Sequence, residues 1–483
     1  MTGKGVFVSR RSRTFVQRFG VAAIAAAAFV VVASSFGAGA GKGGPLVVRV
    51  SRDTTKAAGF QHATAVEPAI AAGARGVLVT VFQVARSVQH GAAAIGWATS
   101  RDRGRHWKRG FFVPITRNDA APPKALDVTD PVVAYDAAHK LWVVSSIADF
   151  ANGSRTLQVH RSSDGLHWSA PTEVAKGIVD KDWITCDRGS RSPFRGRCYL
   201  AFTRENEDRL GVRWSADGGV TWSSEAKIMP TMGHPTGAFP VVQPNGRLVV
   251  LFREGGVDQR ADAATAIPPW TFTATSSADG GRTFGVIRTL VTRVKPYFPH
   301  YVRAFATTIP SVGVDARGRL YAVWQTCRFR NPCSGNDLVL STSTNGRSWT
   351  RPRRLPLGAS GDRIVPGLAV APGRRGQPVR LGLTYYTIRN GACSWVRCEL
   401  APYFASSKNG GRSWSKPLRL FAPTRYTWLA QAAAGQAFVG DYTTTAYLGK
   451  VAYAAFAVAT RPTRSGLHHS IAVARIRPLD LPR

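Results

Sequence analysis

The sequence predicts an all-β chain folded as a β-propeller, with seven blades and six as the alternative. Three observations predict it: one short motif recurs six times, each copy lies in a run of four short strands, and the runs repeat at nearly constant length. The motif is Ser-x-Asp-x-Gly-x-x-Trp, seen as Ser100, Asp102, Gly104, Trp107 and as Ser215, Asp217, Gly219, Trp222. Ser277, Asp279, Gly281, Phe284 carries Phe for Trp, and Ser407, Asn409, Gly411, Trp414 carries Asn for Asp. Two copies are one residue shorter: Ser162, Asp164, Gly165, Trp168 and Ser343, Asn345, Gly346, Trp349. The aromatic ends fall 61, 54, 62, 65 and 65 residues apart.

The motif is a folding device. Its Asp or Asn accepts backbone N–H groups across a hairpin turn, its Gly takes positive φ, and its aromatic ring packs on a neighbouring sheet. The fifth unit shows the strand order around it. Ile309 to Val314 reads as a first strand, Leu320 to Trp324 as a second, Leu338 to Ser341 as a third, and an outer strand follows near Pro352. Opening strands recur at Glu67-Pro68, Asp130-Pro131, Asp182-Trp183, Phe239-Pro240, Ile309-Pro310 and Val365-Pro366. Repeated four-stranded units solve the sheet-edge problem by closing into a ring. The last unit, opening at Phe438 to Tyr442, lacks a motif and an outer strand, and Pro45 to Val50 is expected to supply that strand.

Residues 1–40 read as an export signal: Lys4, Arg10, Arg11, Arg13 and Arg18 precede an apolar run from Val21 to Ala33, then Ala38-Gly39-Ala40. Residues 41–483 then form a single domain, and a secreted, extracellular protein is expected, with an uncleaved N-terminal anchor as the alternative. The run is short for a membrane span, which needs about 20 apolar residues, so no span is expected after signal removal. Six cysteines fall into close pairs, Cys186 with Cys198, Cys327 with Cys333 and Cys393 with Cys398, and an even count behind a signal favours disulfides. The formal charge is +36, from 64 basic and 28 acidic residues. Such a field attracts glycans or other anionic surface polymers, and no specific nucleic-acid motif accompanies it. A monomer is expected.

The motifs and strand order resemble the sialidase (neuraminidase) superfamily over nearly all of residues 45 to 480, and are most similar to bacterial secreted proteins with BNR, or Asp-box, repeats labelled exo-α-sialidases. The resemblance implies an arginine triad on a sugar carboxylate, a Tyr nucleophile polarised by a Glu, and an Asp acid/base. Carried over residue by residue, Arg253 sits at the spacing of the second triad arginine and Tyr442-Thr443 at the nucleophile segment, with Asp441 adjoining. Val66 stands where the first arginine belongs and Val242 where the Glu belongs. The resemblance thus implies glycan binding with the base for the phenol missing, and leaves two alternatives. One is an active glycoside hydrolase using other arginines, such as Arg253 and Arg363. The other is a protein-interaction scaffold.

Where the opening strands converge, the register puts Glu67, Asp130, Asp182 and Asp441 at one level, with Lys181, His234 and Arg363 within a few residues. Such a ring either orients a sugar or holds a cation such as Ca²⁺ through oxygen ligands; no cofactor is required by it. Each acid instead capping a strand or pairing with an arginine is the plainer outcome. His468-His469 reads as surface.

Overall fold

The structure is a computed structural model describing Met1 and residues 44–482, apart from 113–124, 256–269, 286, 288, 296, 304–308, 359, 374–375, 390–392 and 465. The export segment therefore lies outside the described residues, Met1 excepted. The described chain is all-β, in six antiparallel sheets of a propeller-like fold.

Four-stranded groups follow one another along the chain. The first comprises Gln61–Ala72, Leu78–Arg86, Ala92–Ser100 and Lys108–Phe111; the second Asp127–Asp136, Leu141–Asp149, Arg155–Ser162 and Thr172–Gly177. One residue pair, Ala92 with Val128, joins these two into an eight-stranded sheet. The third comprises Val179–Cys186, Cys198–Arg204, Arg209–Ser215 and Ala226–Ile228; the fourth Thr236–Val242, Leu248–Glu254, Trp270–Ser277 and Thr289–Val294. The fifth holds Ser311–Val314, Leu320–Thr326, Asp337–Ser343 and Arg353–Arg354. The sixth holds Asp362–Val370, Leu381–Ile388, Glu399–Ser407 and Leu418–Arg419, with Thr424–Arg425 beside it. In the last group Thr444–Leu448, Val451–Thr463 and Gly466–Ile476 are completed by Leu46–Arg49, whose Val48 pairs with Val473.

That last group departs from expectation at its start. Phe438 to Tyr442 is not its first strand; Thr444–Leu448 is. Gly440 has φ +118°, and a Cβ there would lie 2.8 Å from the Glu67 backbone, so this stretch runs too close to the first group to enter a ladder.

All six motifs form the expected turn. In the third group Ser215 Oγ donates to Asp217 Oδ1 (2.7 Å) and accepts the Gly219 N–H (2.8 Å), while Asp217 takes the N–H groups of Val220 and Thr221. Each turn also leans on the group before it. Gly165 approaches Val79 and Thr99, Gly281 approaches Tyr199, and Gly346 approaches Val249. The first group's Gly104, at φ +80°, approaches Tyr453 of the last group, whose hydroxyl donates to Arg103 O (3.0 Å). Burial raises the Asp217 carboxyl, but hydrogen bonds from Thr221, Ser215 and Val220 outweigh it and hold its pKa at about 2, against an ordinary 3.8. The folded-state value is depressed, so this stabilisation is present above pH 3.8 and lost as pH falls through about 2. Asp217→Ala is expected to cost about 1 kcal/mol at neutral pH, the low end because the carboxylate is exposed, and clearly less near pH 2, read from urea unfolding at both pH values.

Three disulfides form as paired in the sequence: Cys186–Cys198, Cys327–Cys333 and Cys393–Cys398. They fit an oxidising compartment, and among the described residues no helix is long and apolar enough to cross a membrane. His469 is not surface: it is buried, its Nδ1 accepts the Ala430 N–H (3.0 Å), and burial pushes its pKa down to about 3.

Candidate functional site

A one-residue bulge recurs in the opening strands and sets the site. Between the pairs Val66–Gln83 and Ala69–Val81 the first strand carries one extra residue, and Glu67 there has φ +54°. The same shift leaves Asp130 at φ +52°, Lys181 at +49°, Gly237 at +65° and Val365 at +54° in their own strands. Bulges re-aim side chains. Because the backbone turns left-handed at this step, the register is read from φ and not from the sequence. It corrects the expected ring by one residue: Lys181, not Asp182, is level with Glu67 and Asp130.

The result is a buried ionic cluster around one ammonium. Lys181 Nζ lies 2.7 Å from Asp441 Oδ2 and 3.7 Å from Asp130 Oδ1, and its backbone N–H donates to Asp130 Oδ2 (3.0 Å). Arg303 adds a second cation to Asp441, at 3.2 Å. Glu67 Oε1 accepts the Asp441 N–H (2.9 Å), and Gln83 Nε2 donates to Glu67 Oε2 and to Thr129 Oγ1 (2.8 Å). Arg86 and Arg303 both lie over the Phe438 ring, 4.9 and 5.2 Å from its centroid. Beside the cluster Trp183 packs on Phe239 (4.3 Å) and edge-on to Tyr442 (5.3 Å).

Placement changes the roles expected of several residues. Asp182 is buried and accepts from Ser145 Oγ (2.5 Å); burial, then Asp130, pushes its pKa well up, while its Oδ1 has no partner among the described residues. Arg363 does not line the site: its guanidinium binds Asp337 (3.1 Å) and the carbonyls of Leu357, Gly358 and Ser360 (each 2.9 Å). His234 is largely exposed beside Asp208 (3.5 Å), three residues short of the Gly237 bulge. Arg253 is 5% exposed and stacks on Trp270 (4.1 Å). Burial lowers its pKa to about 10, opposed by Asp441, and its Nε and Nη1 have no partner among the described residues.

Tyr442 is placed poorly for nucleophilic attack. Its hydroxyl donates to Pro131 O (3.0 Å), and burial, followed by the charges of Glu67, Asp130, Asp182 and Asp441, pushes its pKa well up. A phenol needs a base in contact to attack, and a backbone carbonyl is not one. The cluster also does not suit Ca²⁺. The Lys181 ammonium occupies the position between Asp130 and Asp441 that the cation needs, and among the described residues no three His, Cys, Asp or Glu are grouped to hold a metal.

Two carboxyls are driven apart. Burial, then Asp130 and Asp441, raises Glu67 to about 8 from an ordinary 4.5. Burial would raise Asp441 too, but Arg303 and Lys181 outweigh it and hold it at about 2. A raised folded-state value means that Glu67 contributes stability fully below pH 4.5, lost as pH rises through about 8. Unfolding free energy is therefore expected to fall between pH 4.5 and 8 more steeply in the wild-type chain than in Glu67→Gln. Parallel profiles would contradict a neutral Glu67.

Arg86, Gln83, Thr129 and Arg303 belong to this site and were missed in the sequence. Arg86 and Gln83 sit on a second strand, outside the register that the opening strands share. Arg303 lies between units, where no repeat marks it. The pairing of Val302 with Ala437 brings it in.

Residues 120–296 match the BNR repeat-like domain family. No curated protein matches the sequence. Structural neighbours include the Hadza microbial sialidase Hz136, 14% identical over 87% of this chain and 67% of that one (TM-score 0.43). Another is the α-L-arabinofuranosidase arb93a from Fusarium graminearum, 12% identical over 90% and 98% (TM-score 0.43). The NanB sialidase from Streptococcus pneumoniae is 13% identical over 89% and 70% (TM-score 0.44).

Proposed function

Since residues 120–296 carry a BNR repeat-like domain, we propose that the chain is an exported, seven-bladed sialidase-like propeller that binds an acidic sugar at the Lys181–Asp441 cluster. The strand groups support seven blades, because a six-blade count must fuse two complete groups that share one residue pair. The first group's motif turn resting on Tyr453 of the last supports a closed ring.

The observation that carries the reading is the buried Arg253 guanidinium, with Nε and Nη1 unpartnered among the described residues. Buried N–H groups without an acceptor are costly, and a sugar carboxylate accepts charge-assisted hydrogen bonds from a guanidinium. Asp441 Oδ1 and Asp182 Oδ1, also without partners there, suit sugar hydroxyls, and the half-buried Trp183 ring suits a sugar face. Titration calorimetry with N-acetylneuraminic acid and with glucuronic acid tests this. At least one is expected to bind saturably, and Arg253→Met to weaken it about 10- to 100-fold, the range of a charged hydrogen bond. Equal binding of uncharged galactose, or an unaffected variant, would refute it.

Hydrolysis is the second reading, favoured by the separation of Glu67 from Asp441. A neutral carboxyl beside an ionised one is the pairing that acid/base glycoside chemistry uses. Fluorophore release from an α-sialoside or an α-L-arabinofuranoside decides it. Turnover lost in Asp441→Asn but kept in Tyr442→Phe is the expected pattern, and no release from either substrate leaves a binding protein.

A further inference from the structure

A second place in the molecule gathers charge without neutralising it. A cleft of about 250 Å³ opens between the turns that follow the first strands of the fifth, sixth and last groups, lined by Asp315, Arg317, Arg380, Lys450 and the proline-bearing segments 371–373 and 377–379. Asp441 precedes the strand Thr444–Leu448, whereas Gly449 and Lys450 follow it. Five residues at about 3.3 Å each separate the two places by roughly 17 Å, so this cleft is distinct from the ionic cluster.

We propose that this cleft binds an oxyanion: the phosphate or sulfate group of a ligand of monosaccharide size. Arg317, Arg380 and Lys450 have no carboxylate partner among the described residues. The one acid in the lining is already engaged: Asp315 accepts the N–H groups of Arg317 (2.9 Å) and Arg319 (3.0 Å) and the Tyr321 hydroxyl (2.9 Å). Three cations around one concavity repel each other and focus a positive field into it, which a tetrahedral oxyanion reverses. Guanidinium forks from two sides match its oxygens, and Lys450 adds a point charge. At 250 Å³ the cleft is below the range of drug-sized pockets, which limits the ligand to about one sugar ring. Gly449, at φ +60° with nothing within 4 Å of a Cβ, leaves the entrance beside Lys450 open.

Calorimetric titration with inorganic phosphate and, separately, inorganic sulfate at low ionic strength tests the site. Saturable binding of one ion per chain is expected for at least one of them, weakened at least tenfold in Arg380→Gln/Lys450→Gln and unchanged in Arg412→Gln, an exposed arginine on a motif turn. Lys450→Gln alone, at an exposed position, serves if the double variant does not fold and is expected to weaken binding several-fold. The Arg253→Met chain separates this cleft from the acidic-sugar site: binding lost there would place the anion at Arg253 and overturn the proposal. So would an absence of saturable binding for both ions, or equal loss in Arg412→Gln.

Discussion

Lys181→Met is expected to destabilise the protein by about 3–5 kcal/mol, the range found when one partner of a buried ion pair is removed. The Lys181 side chain is 9% exposed, and those of Asp130 and Asp441 1% each. Methionine matches the length of the stem, so the loss reports the charge and not a cavity. Burial works against the Lys181 proton, but Asp130, Asp180 and Asp441 more than hold it in place. Without it the cation left in contact with Asp441 among the described residues is Arg303, and Asp130 is left against its carboxylate neighbours. Urea unfolding of Lys181→Met beside Lys181→Arg measures the effect, with Arg expected to retain most of the stability. A loss under 1 kcal/mol for Met would show that the carboxylates are neutralised some other way. Addition of Ca²⁺ to the Met variant is a useful companion, since it offers a replacement cation where the ammonium stood.

A chain beginning at Ser51 is expected to lose on the order of 5 kcal/mol and to expose a strand edge. Leu46–Arg49 pairs along its whole length with the strand Gly466–Ile476, and Val48 and Val50 are buried in the core. Each valine contributes about 1.5–3 kcal/mol through burial, and each ladder hydrogen bond about 0.5–1.5 kcal/mol net. A typical domain holds about 5–15 kcal/mol in total, so the shortened chain sits near its unfolding threshold. Its free edge is a template for pairing with other chains. Thermal unfolding and light scattering read the two effects, and a synthetic peptide covering residues 45–51 is expected to reverse both. A shortened chain that melts like the full one and stays monodisperse would mean that the pairing contributes nothing to closure.

The motif turns were legible because their chemistry is local. Ser215, Asp217 and Gly219 satisfy one another within five residues, so spacing alone identifies the turn. The site was legible in its members and not in its geometry. Register points to Glu67, Asp130 and Asp441, yet it points to Asp182 in place of Lys181, because a left-handed bulge residue leaves no trace in hydrophobic alternation. Arg253 and Arg363 looked alike as arginines on strands. Only tertiary structure shows that one lacks partners while the other is held by Asp337 and three carbonyls. Arg303 was invisible because it belongs to no repeat.

The shared last sheet also fixes when the protein can finish folding. Leu46–Arg49 has its ladder partner only after Ile476 has been made, some 430 residues later along the chain. At ribosomal rates of about 5–20 residues per second, that strand waits roughly 20–90 s without its partner. Contacts of such sequence separation make closure slow, while every motif turn after the first can dock on a preceding group that already exists. Assembly is thus sequential along the ring until one last step. The chain's beginning must stay unpaired, and free of competing strands, until its end arrives.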